Sequence, residues 1–144
     1  GDRVTLHCTS LGKAILSGLP VEEVERIVDR VGLPKFTERT ITALDALKKE
    51  LEQMRTQGYA VDRGEHETGT YCIGAPILDA RGRVIGACSV SGADSELIRG
   101  TSPECSARVM QTAQEISRRM GYVPATPSSV VAVLSPAGTA EGAH

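Results

Sequence analysis

Two hydroxyls, Ser89 and Ser91, are separated by a single residue in the run 84–91, and a thiol, Cys72, sits in the run 71–78 that precedes it. Asp79-Ala80-Arg81-Gly82-Arg83 between the runs has turn composition, so the two read as strands of a hairpin. Side chains alternate across a strand, which puts Ser89 and Ser91 on one face and Cys88, Val90 and Gly92 on the other. Hydroxyls aimed at one place, beside a strand carrying a thiol, suit the wall of a small-molecule pocket. The same pattern also fits a half-buried hairpin whose serines face water. Asp62 lies near the start of an earlier strand. Facing a pocket, it would accept a hydrogen bond from a ligand hydroxyl; otherwise it is a solvated carboxylate. Glu65 and Glu67 share one face of an extended segment, and paired carboxylates can do acid–base work. Nothing else in the sequence supplies the metal or partner base that such a pair would need.

The nucleophiles and metal ligands are few. Cys8, Cys72, Cys88 and Cys105 form no C-x-x-C pair and have no finger-like spacing to His7, His66 or His144, so no structural zinc site is expected. His7-Cys8, and His66 with Cys72, are the loose metal-like combinations. Widely dispersed cysteines in a domain of ordinary size are expected to be reduced thiols. A thiol becomes reactive only where a cation or helix N-terminus depresses its pKa. Were His7 or His66 to do that for Cys72 or Cys88, the chain would be a thiol enzyme or redox sensor. No Ser-His-Asp grouping is evident, and Leu11-Gly12-Lys13 lacks the preceding glycine of a phosphate loop. Lys13 is expected on an exposed helix edge. No catalytic residue, metal or cofactor is assigned.

The chain has 144 residues, the size of one domain. With no Trp and 3% aromatic residues, it lacks stacking platforms for single-stranded nucleic acid. A net charge of −2 argues against direct duplex binding. No apolar run is long enough for a membrane span, and no signal-peptide pattern opens the chain, so a cytoplasmic location is expected. Gly1 is not an initiator, which leaves room for upstream sequence.

The elements that position these residues follow from pattern. A short helix enters at Thr9 or Ser10 and stops at Gly18-Leu19-Pro20. A second spans about 21–30, with Val24, Ile27, Val28 and Val31 as its apolar stripe. A third runs from about 42 to 57 on Leu44, Leu47, Leu51 and Met54, and ends at Gly58. A strand begins at Tyr59-Ala60-Val61-Asp62, and the hairpin follows. Residues 93–102 read as a polar connector. A last helix runs from Pro103 to about Met120, with Val109, Met110, Ala113, Ile116, Ser117 and Met120 inward. Residues 123–144 read as a flexible tail, leaving a domain over 1–122. This order predicts an α+β domain whose helices cover one face of a mostly antiparallel sheet, with an edge covered either by further strands upstream of Gly1 or by another chain.

The blocks LHCTSLGKAILSGLP, TERTIT and LKKELEQMRTQGYAVDRGEHETGTYCIGAPILDARGRVIGACSVSG carry a resemblance over residues 6–121. In order and spacing the sequence resembles the C-terminal effector-binding domain of IclR-family bacterial transcriptional regulators. The resemblance implies a GAF-like fold that binds a small organic acid or aromatic acid. It implies a homo-oligomer, dimer or tetramer, in which operator DNA is bound only through an N-terminal helix-turn-helix part that this chain lacks. Carried over residue by residue, the family's effector contacts fall on Ser10, Leu11, Asp62, Cys72, Ser89 and Ser91. The family domain normally has a helix and strands before the first block, so the pocket is expected either to be incomplete or to be completed by another chain. Gly74 stands where the family more often has Ala.

Overall fold

A computed structural model of the chain describes residues 5–93 and 103–125. Helix α1 (Ser10–Ser17) is opened by Thr9, whose hydroxyl accepts the Gly12 N–H at 3.0 Å and donates to the Thr5 carbonyl at 2.8 Å. Of the two candidate caps, Thr9 is the one used. Gly12 inside this helix has a steric cause: a Cβ there would lie 2.4 Å from the Leu6 backbone. Helix α2 (Val21–Val31) follows Pro20, and its acidic first turn suits the positive end of the dipole. Val24 is buried and Ile27 and Val28 pack beside it, whereas Val31 is exposed. Helix α3 (Leu44–Gln57) buries Leu47, Leu51 and Met54 and closes at Gly58 in the left-handed conformation, φ 89°.

Strands β1 (Ala60–Arg63), β2 (Thr70–Leu78) and β3 (Val84–Ala93) form an antiparallel sheet in the order β1-β2-β3. The β2–β3 turn is organised by Asp79. Its Oδ1 accepts the Arg81 and Arg83 N–H groups, each at 2.9 Å, and its Oδ2 accepts Arg83 Nε at 2.9 Å. Helix α4 (Pro103–Arg119) buries Val109, Ala113 and Ser117, while Met120 beyond it is exposed.

The core has two parts. Ala14, Leu16, Val24, Leu47, Leu51, Met54 and Ala60 join α1, α2 and α3 to one face of the sheet. Ile73, Ala75, Val109 and Ala113 join α4 to the other face, with Cys88 packed against them. Each fully buried leucine contributes roughly 1.5–3 kcal/mol of transfer free energy. The sequence pattern put the helices on one face; they lie on both. The reason is visible in β2, which is apolar or small on both sides and so needs cover on both. The connector over residues 94–102 and the tail beyond residue 125 lie outside the described residues.

Candidate functional site

Register brings the candidate residues together. Asp62 pairs with Cys72, and Cys72 pairs with Ser91, so one row crosses all three strands. Ser89 pairs with Gly74 one step along the same face. Directly opposed residues on neighbouring strands share a face, and here Cys72 Sγ lies 3.1 Å from Ser91 Oγ. The first turn of α1 lies over this row. A Cβ on Gly74 would sit 3.0 Å from the Ser10 carbonyl oxygen, so the missing side chain admits the helix. The Gly74 position therefore tightens the approach of α1 to the sheet. Leu11 follows Ser10 at the helix start and is 38% exposed.

The chemistry of the row is acceptor-rich and weakly acidic. Asp62 is 3% exposed, and its Oδ1 accepts the Glu65 N–H at 2.8 Å. Burial pushes its carboxyl above the ordinary value, with that N–H bond and the nearby Lys13 ammonium pulling partly back. Burial also raises the Cys72 thiol, against the hydrogen bond from Ser91 and a smaller one from Ser10. Ser89 and Ser91 are exposed, so the face is open on its β3 side among the described residues. Two sizeable cavities among the described residues lie elsewhere. One of about 490 Å³ is lined by residues that include Leu6, His7, Ile27 and Leu33, and one of about 380 Å³ by residues that include Met110, Ala113 and Tyr122. Neither is lined by Ser10, Asp62, Cys72, Ser89 or Ser91.

The thiol reading finds no support in this geometry. Cys8, Cys72 and Cys88 are all pushed up, chiefly by burial, the opposite of the lowered pKa that activates a nucleophilic thiol. Cys88 faces α4 and donates to the Val109 carbonyl at 3.6 Å, on the opposite side of the sheet from Cys72. His7 is engaged with the Pro34 carbonyl at 2.9 Å and with the Phe36 ring. His66 packs against the same ring in a tilted arrangement, 5.0 Å between centroids. Among the described residues no three His, Cys, Asp or Glu side chains are grouped as a metal ion would require. Glu65 and Glu67 do not pair: Glu65 is buried and Glu67 exposed.

Two residues beside this face are placed otherwise than their local pattern predicts. Lys13 is 0% exposed rather than on a helix edge, and Glu65 is buried against it. The signal was helical spacing: Lys13 is three residues from both Ser10 and Leu16, and all three lie on the inward side of α1.

The family description "Bacterial transcriptional regulator IclR C-terminal" matches residues 1–118. The chain belongs to the IclR C-terminal domain family. Among its curated relatives, the HTH-type transcriptional repressor AllR of Klebsiella pneumoniae is 38% identical over 124 residues, which cover 86% of this chain and 46% of AllR. This IclR C-terminal domain thus spans about half the length of the curated relatives it matches. Among solved structures, the C-terminal domain of the E. coli regulator KdgR superposes with a TM-score of 0.77 at 38% identity, covering 85% of this chain and 74% of that one. The inducer-binding domain of PobR from Acinetobacter, a double mutant solved with 3-hydroxybenzoic acid, superposes with a TM-score of 0.70 at 30% identity, covering 81% of this chain and 67% of that one. The α+β fold of the IclR C-terminal domain is thereby shared with regulators.

Proposed function

We propose that this IclR C-terminal domain senses a small organic acid, aromatic acids included, at the face formed by Ser10, Leu11, Asp62, Cys72, Ser89 and Ser91. It binds and does not turn over its ligand. The observation that carries this reading is the row Asp62–Cys72–Ser91 lying under the first turn of α1. The first N–H groups of a helix have no intrahelical acceptor, and the dipole there favours an anion. A ligand carboxylate suits those amides and the serine hydroxyls, while a ligand hydroxyl suits Asp62. AllR is named as a repressor, and PobR's domain as inducer-binding with a hydroxylated aromatic acid, which supports the same reading here.

In the longer regulator, an N-terminal helix-turn-helix part would hold operator DNA in the cytoplasm, and the sensing unit, residues 1–122, would act within a homodimer or tetramer. No helix of the described residues is long and apolar enough to cross a membrane. Effector binding would bias two arrangements of the oligomer, by no more than the difference in its affinity for them. Calorimetry against a panel of carboxylic and hydroxy acids tests the reading, followed by Ser91→Ala and Asp62→Asn. Each variant is expected to weaken the best ligand about tenfold or more, the scale of one lost hydrogen bond to a charged group. Unchanged affinity in both variants would reject the face.

A further inference from the structure

Lys13 lies one helical turn past Ser10, and its ammonium is sealed from solvent. Nζ donates to the Val61 carbonyl at 2.5 Å, to Glu65 Oε2 and Oε1 at 2.7 and 2.9 Å, and to Glu50 Oε1 at 3.2 Å. An ammonium has three donors, and three residues take them. Two of those residues bracket Asp62. Val61 precedes it, and Glu65 donates its N–H to Asp62 Oδ1 at 2.8 Å. Glu65 is held in turn: its carboxylate accepts the Arg63 N–H at 3.2 Å and its carbonyl accepts Thr40 Oγ1 at 2.6 Å. One buried cation therefore ties α1, which carries Ser10 and Leu11, to the corner that carries Asp62. Stability alone is a poor reason for such a group, since desolvation offsets most of the attraction in a buried ion pair.

We infer that Lys13 is the positioning residue of the effector face: its ammonium fixes the first turn of α1 against Asp62 and keeps Asp62 available as an ionised acceptor. The inference rests on the reading of that face as the effector site. The charged and titratable groups around Asp62 are Lys13 from α1, Glu65 and His66 from the corner after β1, Cys72 from β2 and Cys8 from the segment before α1. Lys13 and His66 favour the carboxylate, and burial opposes it. With its donors committed to Val61, Glu65 and Glu50, Lys13 has none to offer the ligand, so it acts through Asp62.

The test is an NMR titration of the Asp62 carboxyl carbon in the full chain, wild type against Lys13→Met, Lys13→Gln and Lys13→Arg. Lys13→Met is expected to move the Asp62 midpoint upward by about one pH unit or more, a tenfold gain in proton affinity. Lys13→Arg is expected to restore most of the wild-type midpoint. A purely structural lysine would shift the unfolding midpoint and leave the Asp62 titration in place. A folded Lys13→Met variant with an unmoved Asp62 midpoint overturns the inference. Where Lys13→Met does not fold, Lys13→Gln, neutral but still able to donate a hydrogen bond, decides: its Asp62 midpoint must rise, and an unmoved or lowered midpoint overturns the inference. No ligand enters this titration, so failure of the effector reading would show separately, as absence of heat with the wild-type chain.

Discussion

In the proposed site, Asp62 would place function and stability in opposition. Burial raises its carboxyl, so the folded chain holds that proton more tightly than the unfolded chain does. Above the ordinary carboxylate range the folded state bears the cost of an ionised buried group. As pH falls through the raised folded value towards the unfolded one, that cost is relieved. Asp62→Asn removes the charge and keeps an oxygen for the Glu65 N–H. Urea unfolding is expected to show Asp62→Asn at least as stable as wild type near neutral pH, with the difference shrinking towards about pH 4. An equal destabilisation at both pH values would contradict this. Gly12 gives a steric prediction at the same scale. Gly12→Ala drives a methyl to 2.4 Å from the Leu6 backbone, and urea unfolding is expected to register a loss of about 2–3 kcal/mol. Period-two alternation made the shared face of Ser89 and Ser91 legible from sequence, because the strand geometry leaves no other choice. Lys13 was misread because its partners Glu50 and Glu65 lie 37 and 52 residues away, where no local pattern points.

Among the elements, α1 and α4 carry the sharpest expectations. Thr9 both caps α1 and holds the preceding segment through the Thr5 carbonyl. Thr9→Ala should cost about 1 kcal/mol in urea unfolding and also weaken effector binding, since it loosens the turn that presents Ser10 and Leu11. Full affinity in that variant would separate α1 from the site. Ser117 couples α4 to the sheet beside the register shift at Ile77/Leu78. Its hydroxyl accepts the Leu78 N–H at 2.9 Å and donates to the Ala113 carbonyl at 2.6 Å. Ser117→Ala leaves that N–H without its partner and is expected to lower stability by about 1–2 kcal/mol, with effector affinity unchanged because α4 lies on the far face. Helix and strand limits were readable because Gly18, Gly32, Gly58 and Gly82 stop or turn the chain where the apolar period fails. The side of the sheet taken by α4 was not readable, because periodicity identifies a helix's inward stripe without saying which layer it meets.

For the whole molecule, sensing requires that ligand binding and association of copies be linked. Linkage is reciprocal: the factor by which an acid shifts the association constant is the factor by which association shifts the acid's affinity. Sedimentation equilibrium with and without the best ligand is expected to show such a shift, and an identical association constant would confine the domain to passive binding. The family was legible in three blocks of sequence, while the identity of the proposed acid would depend on the fine shape of one face. That shape is set by side chains from three strands and a helix start, joined only in the fold. The measurement that bears most directly on the central claim is peptide-resolved alkylation of the cysteines with and without the best-binding acid. Cys72 lies in the proposed face and Cys88 on the opposite side of the sheet, which makes the second an internal control. Bound acid is expected to slow labelling of Cys72 and leave Cys88 unchanged. Equal labelling of Cys72 with and without saturating acid would place the ligand elsewhere and contradict the account.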